Sequence, residues 1–181
     1  MKNNALLIQQ ALDEANQTVF SARSLRLELL KNCPETIPVL AEWIYEDWHT
    51  YDASLTKERL TKGFKGRLNN NQLPLTFVAL KSSKPVAVTS LKSEEAPELS
   101  DLQDGSCWQG SLHVIPKERN QGLGVEMIKF QATVAKRLGY ETIRLYISNP
   151  EKARWYSEQG AEMIEIRPFR GHSITIMQFV L

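Results

Sequence analysis

Three patterns predict a mixed α/β domain. Short runs alternate apolar and polar residues with period two, longer segments place apolar residues every three to four positions, and one strand-to-helix step carries Gly-x-Gly. Along the chain they give the order β-α-α-β-β-β-α-β-α-β-β. No internal repeat, linker or low-complexity run interrupts it, so residues 23–181 read as one domain behind a helical extension over residues 1–22.

The extension is predicted from residues 3–16, where Leu7, Ile8, Ala11, Leu12 and Ala15 form a stripe at helical spacing. Leu25, Leu27 and Leu29 alternate with Arg26 and Glu28, marking a half-buried first strand. Pro34 fits the first turn of a helix reaching about Trp48, with Ile37, Leu40, Ala41, Ile44 and Tyr45 on one face. A second helix is expected over 56–69, opened by Thr56-Lys57-Glu58 and closed by Asn69-Asn70-Asn71. Strands Leu75–Lys81 and Pro85–Leu91 flank the turn Ser82-Ser83-Lys84, a hairpin. Lys92–Gly105 reads as a long polar loop.

Cys107–Ile115 is the next strand, ended by Pro116. A long helix follows over 122–138, with Met127, Ile128, Val134, Ala135 and Leu138 on one face and Gly139 as its stop. Ile143, Leu145 and Ile147 alternate through a strand, Thr142–Ile147. Pro150 opens a short helix that Gly160 closes, and strands 161–167 and 173–180 flank Arg170-Gly171.

Bulk properties exclude several function classes. Lys plus Arg (22) and Asp plus Glu (21) nearly cancel, so no basic face for nucleic acid is expected. Cys33 and Cys107 are too few and too far apart for a disulfide framework or a zinc site, and read as free thiols in a reducing compartment. The apolar run Ala5–Ile8 is too short for a leader's core or a membrane span, which predicts a cytoplasmic protein.

Arg119-Asn120-Gln121-Gly122-Leu123-Gly124 is the segment with chemistry in it. The first turn of a helix leaves backbone N–H groups unpaired and carries partial positive charge. Glycines there let a phosphate approach the backbone. The segment lacks the Lys-Ser/Thr of a Walker loop and the third glycine of the dinucleotide fingerprint, which disfavours nucleotide hydrolysis and Rossmann binding.

Its context narrows the phosphate. Leu112-His113-Val114-Ile115-Pro116-Lys117-Glu118 followed by that turn resembles the acetyl-CoA-binding motif of the GNAT N-acetyltransferase superfamily. Leu145-Tyr146-Ile147-Ser148-Asn149-Pro150 and Ala153 through Ala161 resemble its second motif, in the expected order. Trp108-x-x-Ser-Leu-x-Val and the stretch Arg167 to Met177 are similar to a group of bacterial GNAT proteins of unassigned substrate.

The resemblance implies the GNAT fold, a mostly antiparallel sheet whose parallel pair, here 107–115 and 141–147, splays to admit the donor. It implies an acetyl-CoA-dependent N-acetyltransferase acting directly on a primary amine of a small molecule. Acetyl-CoA would be the acyl-donor cosubstrate, with no metal, nucleic acid or membrane partner, and a homodimer is compatible with it. Backbone groups of Leu112, His113 and Val114 would take the acetyl carbonyl and pantetheine. Amides of Arg119, Asn120, Gln121, Gly122, Leu123, Gly124 and Val125 would take the pyrophosphate, and Asn149 would contact or order the pantetheine. Tyr156 would touch the donor too, as the general acid that protonates the departing thiolate.

The general base is left open. Many GNAT enzymes carry a glutamate on this strand, where Trp108, Gln109 and Ser111 stand. A water held by backbone carbonyls or by His113 would serve instead, although a hydrogen-bonded structural histidine is the plainer reading. The acceptor is expected over the first two helices, where Trp43, Glu46, Asp47, Trp48, His49, Tyr51 and Asp52 concentrate aromatic and acidic groups. Cys107 lacks a paired base for a covalent route. Protein N-terminal or lysine acetylation is the enzymatic alternative, and a non-catalytic acyl-CoA-binding or regulatory module is the alternative of another class.

Overall fold

A computed structural model describes residues 3–181; Met1 and Lys2, the start of the predicted extension, lie outside the described residues. Helix α1 (Asn4–Ala15) begins where the Asn3 side chain accepts the Leu6 N–H at 3.3 Å. It leads through a π turn and a 3-10 turn to β1 (Arg26–Leu29). Asn16 pairs with both backbone groups of Leu27, donating to its O at 2.8 Å and accepting from its N at 2.7 Å. This satisfies part of an edge strand and ties the extension to the sheet.

Helices α2 (Ile37–Trp48) and α3 (Lys57–Lys65) follow, then β2 (Leu75–Lys81), β3 (Lys84–Lys92), β4 (Cys107–Val114), α4 (Leu123–Leu138), β5 (Thr142–Ile147), α5 (Pro150–Glu158), β6 (Glu162–Phe169) and β7 (His172–Val180). The element order is the predicted one. Helix α3 stops at Lys65, four residues short of the expected 69, with Gly66 at its C-cap. The expected loop 92–105 is also more ordered than its composition implied. Pro97–Leu102 forms a 3-10 turn that buries Leu99 against Trp108, Ile174 and Ile176.

All seven strands form one sheet in the order β1-β2-β3-β4-β5-β7-β6, antiparallel except for β4 with β5. Helices α1, α4 and α5 cover one face, over Leu27, Leu75, Phe77, Leu145 and Met177. Helices α2 and α3 cover the other, over Val78 and Val88. Both faces are therefore dry in the middle, which is why β2 reads as a nearly continuous apolar run. Each fully buried Leu, Val or Phe here contributes about 1.5–3 kcal/mol. Among the described residues no helix is long and apolar enough to cross a membrane, and no three His, Cys, Asp or Glu group to hold a metal.

Candidate active site

The Gly-containing turn is a concave run of backbone. Asn120 and Gly122 both adopt left-handed conformations, φ 58° and 79°, before α4 opens at Leu123. Left-handed residues interleaved with ordinary ones aim successive N–H groups inward, the geometry of an anion nest. The turn is braced from both sides. Arg119 Nε donates to Val114 O at 2.7 Å, Gln121 Nε2 to Lys117 O at 3.0 Å, and Arg23 Nη1 to Gln121 O at 2.5 Å. A Cβ on Gly124 would lie 3.5 Å from Trp155 and 3.8 Å from Val114, between two residues that line the cavity described next.

Below the turn the sheet opens. Strands β4 and β5 pair at only two positions, Cys107 with Ile143 and Trp108 with Arg144. On its other edge β4 carries a bulge: Val88 opposes His113 and Ser90 opposes Gly110, so one β3 residue faces two in β4. The extra residue is Ser111, at φ 57°. Ile115 N–H donates to Val86 O at 3.0 Å, so strand alternation turns the Val114 N–H toward the opening. A cavity of about 520 Å³ fills this opening, lined by β4 from Gln109 to Val114, the turn, β5 and α5.

Tyr156 of α5 reaches the floor of that cavity and is 5% exposed. Gln109 Nε2 donates to its hydroxyl oxygen at 2.8 Å. Burial pushes the phenol pKa well up, outweighing the Gln109 hydrogen bond, so Tyr156 keeps its proton at neutral pH. The accepted bond leaves that proton free to be donated elsewhere.

His113 points to the α2 side. Its Nδ1 lies 2.7 Å from Asp47 Oδ2, and its ring stacks on Trp43 at 4.9 Å and 17°. Burial alone would raise the Asp47 carboxyl, but the His113 hydrogen bond and the charges of Lys152, His113 and Arg119 outweigh it and lower its pKa. An ionised carboxylate only accepts, so the ring nitrogen facing Asp47, Nδ1, carries a proton.

A second cavity, about 210 Å³, lies on the α2/α3 face and shares Trp48, Gln109, Gly110, Ser111 and Tyr146 with the first. The two meet across the bulge of β4.

The site residues expected from sequence fall as follows. Leu112, His113, Val114, Arg119, Asn120, Gly122, Leu123, Gly124, Val125 and Tyr156 line the large cavity, with Asp47 and Trp48. Gln121 and Asn149 do not line it. Gln121 braces the turn, and the Asn149 side chain caps α5, accepting from the N–H groups of Glu151 and Lys152 at 2.8 and 3.3 Å. Tyr51 lines the small cavity, whereas Trp43 lines neither and backs His113. The expected acidic-aromatic patch is thus only partly gathered: Glu46 is exposed, His49 turns back to Tyr45 O, and Asp52 is held by Arg170 at 2.5 Å. Sequence reasoning passed over Arg23, Arg67, Lys152 and Trp155 as site residues: Arg23 and Arg67 arrive from segments distant from the motifs, and Lys152 and Trp155 lie in or beside the second motif at positions it does not single out.

Comparison with known proteins follows the same outline. The model of the acetyltransferase (GNAT) family matches residues 35–161. None of the curated protein sequences matches the chain. Among solved structures the chain is similar to yncA of Salmonella typhimurium with its cofactor acetyl-CoA (TM-score 0.63, 16% identity, 87% of this chain and 94% of that one). It is also similar to a Vibrio cholerae spermidine N-acetyltransferase SpeG chimera with hSSAT (0.62, 14%, 87% and 95%). RimL, the ribosomal L7/L12 α-N-protein acetyltransferase, solved with coenzyme A, gives 0.63 at 12% identity over 87% and 94%. At these identities the likeness is one of fold.

Proposed function

The chain belongs to the GNAT acetyltransferase family, whose reaction is acetyl-CoA-dependent acetyl transfer, and we propose that this member acetylates a primary amine of a small molecule. The observation that carries the reading is the Gln109–Tyr156 hydrogen bond at the floor of the β4–β5 opening. The residues around the opening fit the donor. Unpaired β4 edge groups suit the amides of a pantetheine arm, and the turn from Arg119 to Val125 suits a pyrophosphate. Arg119 and Lys152 add positive charge to that wall.

Bound acetyl-CoA supplies an activated thioester carbonyl. The Val114 N–H, turned to the opening, is placed to polarise that carbonyl. Tyr156 holds the proton that a departing thiolate needs, and Gln109 fixes the direction in which it is offered. His113, oriented by Asp47, provides the acceptor nitrogen that takes the amine proton through a water. Structural neighbours act on a polyamine and on a ribosomal protein. The second cavity's volume of about 210 Å³ favours the small acceptor.

The test is thiol release from acetyl-CoA against a panel of amines, with Tyr156→Phe alongside. Release with at least one small amine, sharply reduced in the variant, supports the reading. Tight acetyl-CoA binding with no release for any amine, and no effect of Tyr156→Phe, returns the chain to a non-catalytic acyl-CoA-binding module.

A further inference from the structure

The wall of the second cavity carries a positive charge that no carboxylate among the described residues pairs with. Arg67, just beyond α3, is partly buried there. Its Nη1 donates to Ser90 Oγ at 3.0 Å and Ser111 Oγ at 3.4 Å, and its guanidinium lies 5.1 Å over the Phe64 ring. Among the described residues it makes no ion pair, and burial pushes its pKa down, with only the charge of Glu95 acting the other way. Glu95 itself is paired to Lys92, and the two side chains are 11% and 19% exposed. Gly110 of β4 makes room for that pair, since a Cβ there would stand 2.9 Å from Lys92 Cε. The remaining carboxylate of the cavity, Asp52, is engaged by Arg170 and Ser54. Arg67, Lys92 and Glu95 together leave one net positive charge against the bulge of β4.

A half-buried guanidinium held only by neutral hydroxyls is short of what its charge can bind. Its planar fork matches a carboxylate, and the two serine contacts both fall on Nη1, so they use only part of its donor set. We propose that the acceptor is a small amine that carries its own carboxylate, bound by Arg67 while its amine faces the opening between β4 and β5. The proposal rests on the reading of the chain as an amine acetyltransferase. Ser111 sets the scale of the acceptor. It touches Arg67 and also lines both cavities, so the anion site stands beside the opening and the two groups of the acceptor are a few bonds apart. Amino acids have that layout. A polyamine would set like charge against Arg67.

The full chain with acetyl-CoA should be assayed against free amino acids and the matching amino amides. The expected result is a kcat/KM at least tenfold higher for some acid than for its amide. Arg67→Met should abolish that preference, and Arg67→Lys should keep part of it. The melting-temperature rise given by CoA should be the same in all three proteins, which shows that the variants fold. If Arg67 only pins β3 to β4, Arg67→Met lowers turnover of acids and amides alike, and the proposal is overturned. Equal or better turnover of amides or polyamines by the unaltered protein also overturns it. If no amine is acetylated, the enzymatic reading fails separately. Calorimetry on the protein–CoA complex then decides the subsite: binding of an amino acid but not its amide, lost in Arg67→Met, supports it, and no binding refutes it.

Discussion

Gln109 of β4 and Tyr156 of α5 meet beneath the opening between two parallel strands, the amide nitrogen donating to the phenol oxygen at 2.8 Å. The amide therefore occupies the acceptor side of the hydroxyl and leaves its proton for a group in the cavity. No carboxylate is involved, so the pair works without a titration near neutral pH. Where the family resemblance implies a glutamate on β4, the strand presents a neutral residue whose amide holds the Tyr156 hydroxyl.

Tyr156→Phe should lower kcat by about a hundredfold or more, the range of a lost general acid. The dissociation constant of acetyl-CoA should change little, because the ring and its packing against Trp155 and Phe179 persist. Gln109→Leu should cost less, roughly fivefold in kcat for about 1 kcal/mol of lost hydrogen bond. Steady-state thiol release and CoA calorimetry separate the two quantities. A fall in affinity equal to the fall in turnover would make Tyr156 a packing residue.

The donor side of this site was legible because its information is contiguous. Strand, Pro116, Gly122, Gly124 and helix follow within a few residues, and the alternation of Ile143, Leu145 and Ile147 delimits β5 to the residue. The pairings between side chains were not. Asp47 and His113 are 66 positions apart, Gln109 and Tyr156 47, and Arg23 and Gln121 98, so no local pattern links them. The bulge that sets the faces of β4 sits on Ser111 in a left-handed conformation, where composition would have pointed to a glycine. Six residues of 3-10 turn in 97–102 are likewise too few to show a period.

The two glycines of the turn should fail in different ways. Gly122 has φ 79°, and a Cβ there would also stand 3.4 Å from Arg23 Nη2. Gly122→Ala should therefore destabilise the fold by about 1–2 kcal/mol of left-handed strain. Gly124→Ala meets Trp155 at an ordinary 3.5 Å and should melt near the unaltered protein. Its methyl group stands between cavity-lining residues, so its affinity for acetyl-CoA should fall at least several-fold. Thermal melts with and without CoA check both. Equal loss of stability in both variants would assign the glycines to folding alone.

Neither cysteine should take part in turnover. Burial is the main cause that pushes the Cys33 thiol up to about 11 and Cys107 to about 12, so neither forms appreciable thiolate at pH 8. A colorimetric disulfide reagent should label neither in the folded protein and both after unfolding in guanidinium. Rapid labelling of Cys107 that acetyl-CoA blocks would reopen a covalent route.

Asp47 and His113 should leave a signature in acid. The folded Asp47 carboxyl sits below its ordinary value, so the stability it adds is fully present above the unfolded pKa of about 3.9 and is lost as pH falls through the folded value. Asp47→Asn should cost about 1.5–3 kcal/mol at pH 7, the scale of a hydrogen bond to a charged group. The difference from the unaltered protein should shrink below about pH 4. The same variant should lower kcat/KM roughly tenfold or more, because the His113 ring loses the partner that selects its tautomer. Urea unfolding at several pH values, with His113→Gln and the double variant completing a cycle, measures the coupling directly. A stability loss that stays constant from pH 3 to 7 would mean that Asp47 acts through shape rather than charge. The carboxylate would then have no part in orienting the base.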